Sequence, residues 1–310
     1  MAERSDVTKK FSSSHPVKVV FFGTDNISIP TLKALIDDPQ YQVVGVVTKP
    51  DSASGRGHKL VTPEAAQVAK ANNILCLQPR KLRDVKPQLE SLHADVGVVV
   101  SYGKIIPESV IHLFPHGIIN FHPSLLPVYR GPSPIETAIA NGNNETGLTI
   151  MDITKDMDAG DIFYQEKVPI GPDDTVEDLY ERFGKRGAVL MTKYLIKIVN
   201  GEMKRVSQDD NLAIYCHMIT KDDGRLDPEF MSARDCYNKL RAFKHWPKCH
   251  LKFHGQDIII LDAKPLDGFA GDEWPDVVSC DDHSALQLKL IQNPKSGKRM
   301  KVADYLHGLK

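Results

Sequence analysis

Nowhere does the sequence hold an apolar run near the roughly 18 residues that a membrane-spanning helix needs. The longest hydrophobic stretches, such as Val17 to Phe22, are strand-sized. No membrane partner is expected. Cysteine is sparse and odd in number: Cys76, Cys216, Cys236, Cys249 and Cys280 lie far apart with no CxxC pair. That argues against a disulfide framework or a zinc site, and no metal ligand is assigned; a reducing compartment fits better. Glycine is missing where a dinucleotide would need it. The first apolar strand ends in Gly23-Thr24-Asp25-Asn26-Ile27-Ser28, one glycine where GxGxxG has three, and no Walker A sequence occurs. Charge of one sign is lacking too, with 39 basic against 40 acidic residues, so a nucleic-acid partner has to be sought in local patches. Residues 1–15 lack an apolar core, and Glu3 and Asp6 count against a transit peptide, so this stretch is expected to be a flexible tail.

What is present is an alternation. At 310 residues the length carries a prior of two domains. Val17 to Phe22, Gln42 to Val47, Ile74 to Leu77, Val96 to Val100 and Gly117 to Phe121 read as buried strands. Between them the pattern predicts helices: one capped by Asn26 or Ser28, then Pro63 to Asn72, Val85 to Leu92 and Pro107 to Leu113. Strands alternating with helices imply an α/β fold, a Rossmann-like and mostly parallel doubly wound sheet. Further on come a helix from Ser133 to Ala140 and strands Leu148 to Met151 and Ile162 to Val168. Thr175 then caps a helix with Leu179, Phe183, Ala188, Leu190, Leu195 and Ile198 inward, broken at Gly184 or Gly187. Beyond Gly201 the hydrophobic runs shorten and alternate (His250 to Phe253, Ile258 to Leu261, Leu286 to Leu290), with one helix, Ser232 to Phe243. This predicts a catalytic domain over 16–202 and a smaller β-rich domain over 203–310.

The chain is organised around Ile118-Ile119-Asn120-Phe121-His122, a strand stopped by Pro123, Pro127, Pro132 and Pro134. Each proline removes a backbone donor and fixes φ, so a stiff loop must follow. Asn120 and His122, two apart on a strand, face the same side. An amide can donate to a developing oxyanion, and a histidine can exchange a proton near neutrality. A carboxylate to orient that histidine is available in Asp152 to Asp161, which offers Asp156, Asp158 and Asp161. Amide, histidine and carboxylate, with no serine or cysteine nucleophile, suit acyl transfer to an external acceptor.

The runs NFHPSLLPVYRGPSP and ETGLTIMDITKDMDAGDI are similar to the signature of the folate-dependent formyltransferases, and the likeness extends from Val17 to Gly308. The resemblance implies that Asn120, His122 and Asp158 are catalytic, and that Ser124, Leu125, Leu126 and Pro127 contact a folate. It also implies 10-formyltetrahydrofolate as co-substrate, with neither metal nor dinucleotide. Three features resemble the branch that formylates methionyl-initiator-tRNA. They are Gly55-Arg56-Gly57-His58-Lys59-Leu60 after the second strand, Lys221 to Asp227 at the entry to an OB-like C-terminal domain, and Gln292 to Met300 near its end. Pro228 departs from the family pattern, standing where an aromatic residue is common. The implied tRNA-binding residues are Arg56, Lys59, Lys244, Lys298 and Arg299. Lys244 belongs to a basic group with Lys239, Arg241, Lys248 and Lys252 around Phe243 and Trp246, a composition suited to a phosphate backbone. The expected protein is a monomer of the bacterial cytosol or an organelle matrix, acting in translation initiation. Formyl transfer to a sugar-nucleotide amine, hydrolysis of formyl-folate, and a catalytically silent tRNA-binding protein are the alternatives.

Overall fold

The computed structural model describes residues 10–54, 59–266, 274–281 and 283–308. In chain order the first elements are β1 (Val17–Gly23), α1 (Ile29–Asp37), β2 (Tyr41–Val47), β3 (Ser52–Ser54), β4 (Lys59–Val61), α2 (Glu64–Ala71), β5 (Cys76–Leu77), α3 (Lys86–Ser91), β6 (Val96–Val100), α4 (Glu108–Ile111) and β7 (Ile118–His122). They continue with α5 (Pro134–Ala140), β8 (Glu145–Asp152), β9 (Ile162–Pro169), α6 (Val176–Val199), α7 (Ala233–Ala242), β10 (His250–Phe253), β11 (Gln256–Leu266), β12 (Val277–Ser279), β13 (Ala285–Gln292), β14 (Arg299–Lys301) and α8 (Val302–His307). Two compact units result: 1–130 with 147–168 and 180–215, and 131–146 with 169–179 and 216–310.

The first unit carries a seven-stranded sheet in the order β5-β2-β1-β6-β7-β8-β9. Strands β5 to β7 pair in parallel, as the alternation predicts, while β8 runs antiparallel to β7. Strands β1, β6 and β7 are almost wholly buried, which is why they read as unbroken apolar runs. Behind them Phe22, Tyr102, Phe114, Val110 and Ile118 form one apolar cluster.

Local expectations fail in instructive places. Ser28 stands at the N-cap of α1, but its hydroxyl donates to the Asp25 carbonyl at 2.7 Å and caps no helix NH, while Asn26 lies in a 3-10 turn. Helix α6 is not broken at its glycines. Gly187 is small because a Cβ there would come within 2.8 Å of the Phe121 ring, and Gly184 faces Ile27 and Pro30. These glycines admit close packing, and all six side chains expected to face inward are buried. Within the expected tail Phe11 is buried, its backbone NH donating to Asn200 Oδ1 at 2.9 Å, so the described part of that stretch is anchored.

In the second unit β10 to β14 form a five-stranded antiparallel sheet, the strand-rich unit expected. Helix α7 packs on β11, β13 and α5. Ser232 caps α7 by accepting from Asp235 N at 3.0 Å, and Thr175 caps α6 reciprocally with Asp178. Arg241, counted above with a basic surface group, is buried. Its Nη1 donates to the Asp174 and Gly171 carbonyls, and burial lowers its pKa. It holds the chain together and does not face a phosphate.

Candidate active site

Strand β7 is short and apolar on both faces apart from Asn120 and His122, so the sheet itself fixes where these two side chains emerge. Both are more than nine-tenths buried. Among the described residues none of the hydrogen bonds involves the Asn120 side chain. The amide's hydrogen-bonding capacity is therefore open to a bound molecule.

His122 Nε2 lies 2.9 Å from the Tyr129 carbonyl. A carbonyl only accepts, so this nitrogen carries the proton, and in the neutral ring Nδ1 is the one with a lone pair. Nδ1 stands 3.7 Å from Asp158 Oδ2, beyond direct hydrogen-bond length but close enough for an ion pair once the ring is protonated. Histidine, amide and carboxylate thus come together as the sequence suggests. Asp156 is exposed and Asp161 pairs with the Ser207 hydroxyl at 2.9 Å, so of the three candidates it is Asp158 that faces His122.

The route taken by Asp158 is less obvious. Because β8 is antiparallel, Asp152 ends beside Ile119, and Ile153 N donates to the Ile118 carbonyl at 2.8 Å. The loop from Ile153 to Asp161 therefore folds back over the sheet to reach His122. Its base is closed by Asp152 N to the Asp161 carbonyl at 2.9 Å, and a Cβ on Gly160 would sit 1.9 Å from the Asp152 carbonyl oxygen. Only glycine fits that approach. Asp158 itself has φ +49, the left-handed region that non-glycine residues seldom adopt.

The loop after His122 forms the other wall. Thr149, fully buried, donates to the Ser124 carbonyl at 2.6 Å and accepts from Leu126 N at 3.3 Å. Gln165 donates to the Leu126 carbonyl and to the Thr149 hydroxyl. Ser124 is fully buried and its hydroxyl donates to the Val128 carbonyl at 2.6 Å, so this side chain turns into the loop. Leu125 and Pro127 are half-buried and present the apolar surface, with Leu126 beneath.

Residues that pattern reading passed over support the site. Arg130, 2% exposed, reaches Gln208, Asp210 and Tyr215, and Gln208 in turn reaches the Asp158 loop. The signal was the buried YRG arginine itself, whose partners stand 78 to 85 positions away.

The expected tRNA residues that are described stand on different elements. Arg56 lies outside the described residues, and Lys59 begins β4, one strand of a small β3-β4 ribbon. Lys244 Nζ pairs with Glu177 at 2.6 Å, with His245 on the same carboxylate, whereas Lys298 and Arg299 are exposed near β14. Among the described residues no group of three metal-ligating side chains occurs, and no helix is long and apolar enough to cross a membrane.

Comparison with known proteins agrees over nearly all of the chain. Residues 17–195 match the formyl transferase family and residues 218–310 its C-terminal domain. A methionyl-tRNA formyltransferase of Sulfurihydrogenibium sp. is 39% identical over 95% of this chain and 97% of its own. The methionyl-tRNA formyltransferase of Halalkalibacterium halodurans is 36% identical over 94% of this chain and 95% of its own. Among solved structures, an N-formyltransferase from Helicobacter canadensis, in complex with folinic acid and dTDP-3-aminofucose, shares the fold. It has TM-score 0.66 and 21% identity over 88% of this chain and 98% of that one. HypX from Aquifex aeolicus with tetrahydrofolic acid aligns with TM-score 0.64 and 15% identity over 93% of this chain and 46% of that one. The chain is a member of the formyl transferase family of enzymes, alongside the methionyl-tRNA formyltransferases that it matches over most of its length.

Proposed function

We propose that this protein transfers the formyl group of 10-formyltetrahydrofolate to the α-amine of methionine esterified to initiator tRNA. The observation that carries the chemistry is the buried Asn120 amide, free of partners among the described residues, beside a His122 whose Nδ1 faces Asp158.

The folate supplies an acyl carbon already activated by its bond to nitrogen. The amine has to lose a proton to attack it, and His122 Nδ1, with Nε2 committed to the Tyr129 carbonyl, is the nitrogen that can take it. Negative charge then grows on the formyl oxygen, and the Asn120 amide donates to it. Asp158 faces the imidazolium so formed and keeps its Nδ1 proton directed inward. That proton leaves toward the departing nitrogen as the C–N bond breaks. Leu125, Leu126 and Pro127 hold the heterocycle, and Ser124 acts through the shape of their loop.

For the tRNA, Arg56 and Lys59 after β2 engage the acceptor stem, while Lys298 and Arg299, with Lys244, bind backbone phosphate from the 203–310 domain. The protein works as a monomer in the bacterial cytosol, with 16–202 as its catalytic domain. Arg56→Ala raises the tRNA KM and leaves folate affinity unchanged.

The test offers methionyl-initiator-tRNA, methionyl-elongator-tRNA and a dTDP-amino sugar to the enzyme with formyl donor. N-formylmethionine on the initiator, with one tetrahydrofolate released per formyl moved, is expected. Formylation of the sugar alone, or tetrahydrofolate release with no acceptor, contradicts the proposal.

A further inference from the structure

The loop that delivers Asp158 is exposed from Thr154 to Met157, yet Asp158 holds a left-handed backbone conformation, which non-glycine residues seldom adopt. Something outside the loop has to maintain it. The segment after α6 does so in two steps. Val206 and Ile162 exchange backbone hydrogen bonds at 2.8 and 2.9 Å, and Ser207 donates to Asp161 Oδ1 at 2.9 Å. This register delivers Gln208 to the loop, where its Nε2 donates to the Asp158 carbonyl at 2.9 Å and to the Gly160 carbonyl at 2.8 Å.

The amide cannot turn over. Its Oε1 accepts from Arg130 Nε at 3.1 Å and from Arg130 Nη2 at 2.9 Å, two donors in the fixed fork of a guanidinium. Reversal would set the NH2 group against those donors and Oε1 against two carbonyls. Arg130 is itself immobilised: it is 2% exposed, Nη2 reaches Asp210 Oδ1 at 2.7 Å, and Nη1 reaches the Tyr215 hydroxyl at 3.2 Å. Its backbone is tied as well, since Arg130 N donates to the Ile214 carbonyl and Ile214 N to the Pro127 carbonyl. A single buried guanidinium therefore links the loop after His122, the segment after α6 and the Asp158 turn.

We propose that Gln208, clamped by Arg130, is a positioning residue for catalysis: it fixes the carbonyls on either side of Ala159 and so aims the Asp158 carboxylate at His122 Nδ1. The inference rests on the functional reading above. Its signature is a loss of kcat that operates through Asp158 and spares substrate binding.

Gln208→Glu isolates the effect, because a glutamate still accepts from Arg130 but cannot donate to either carbonyl. In single-turnover formylation its rate falls about 10- to 100-fold, the range that a misplacement of about 1 Å produces. The tRNA KM, folate affinity and melting temperature stay near those of the wild type. In an Asp158→Asn background the same substitution costs less than about twofold, because the group being positioned is gone. Gln208→Met, of similar length and with no donor, repeats the cycle if Gln208→Glu loses its fold. A Gln208 variant that keeps the wild-type rate, or that shows its full penalty in the Asp158→Asn background, overturns the positioning role. A wild-type enzyme that formylates no tRNA overturns the functional reading instead.

Discussion

Asn120 and His122 stand between two loops that are fastened in different ways. The loop of Ser124 to Val128 is held from within the sheet, by the Thr149 hydroxyl of β8 and the Gln165 amide of β9, and by its own Ser124 hydroxyl. The Asp158 loop has an exposed crest and is held from outside, by Gln208 and the arginine behind it. On the proposed function, the first arrangement suits a wall that has to keep one shape against the folate. On the proposed function, the second suits a carboxylate that has to be held toward His122. Removing a contact from the first loop should therefore alter folate binding together with stability, while removing one from the second should alter the rate.

The largest effect lies where the two loops meet. His122→Ala removes the proton acceptor and lowers the formylation rate by about 10²- to 10⁴-fold, measured by single turnover with both substrates saturating. A variant within about tenfold of the wild type would assign proton transfer elsewhere. Gly160→Ala comes next, since its methyl group meets the Asp152 carbonyl in backbone that cannot yield without moving the loop. A stability loss of about 1–3 kcal/mol, read from urea unfolding, is expected together with a fall in rate. Thr149→Val leaves the Leu126 NH without its acceptor and removes the donor to the Ser124 carbonyl. It costs about 1–3 kcal/mol and raises the folate KM more than it lowers kcat; a fall in kcat alone would break the contrast between the loops. The smallest effect is at the second unit: Lys298→Ala with Arg299→Ala leaves the catalytic step unchanged and flattens the salt dependence of tRNA binding by about two ions.

How much of this was legible in the sequence follows from the range of the interactions. Strand β7 and its polar pair were legible because a short run of β-branched and aromatic residues, stopped by Pro123, is a local signal. The cap of α6 at Thr175 was legible for the same reason. Arg241 was misread because a charged residue in a basic stretch looks solvated, and the carbonyls that bury it, at Gly171 and Asp174, lie about 70 positions away. The glycines of α6 read as breaks because propensity knows nothing of the Phe121 ring that occupies the space beside Gly187. Of the site, resemblance identified Asp158, while the left-handed turn that presents it and the Gln208 amide beneath it depend on long-range pairing that no local pattern records.

The most direct measurement is the single-turnover rate of formyl transfer to methionyl-initiator-tRNA by the Asn120→Ala enzyme, with folate affinity measured on the same sample. Loss of an oxyanion donor predicts a fall of about 10²- to 10³-fold with the fold and folate binding intact. A rate equal to the wild type's, from a protein that still binds folate, would contradict the assignment of the buried amide on β7 as the group on which formyl transfer turns.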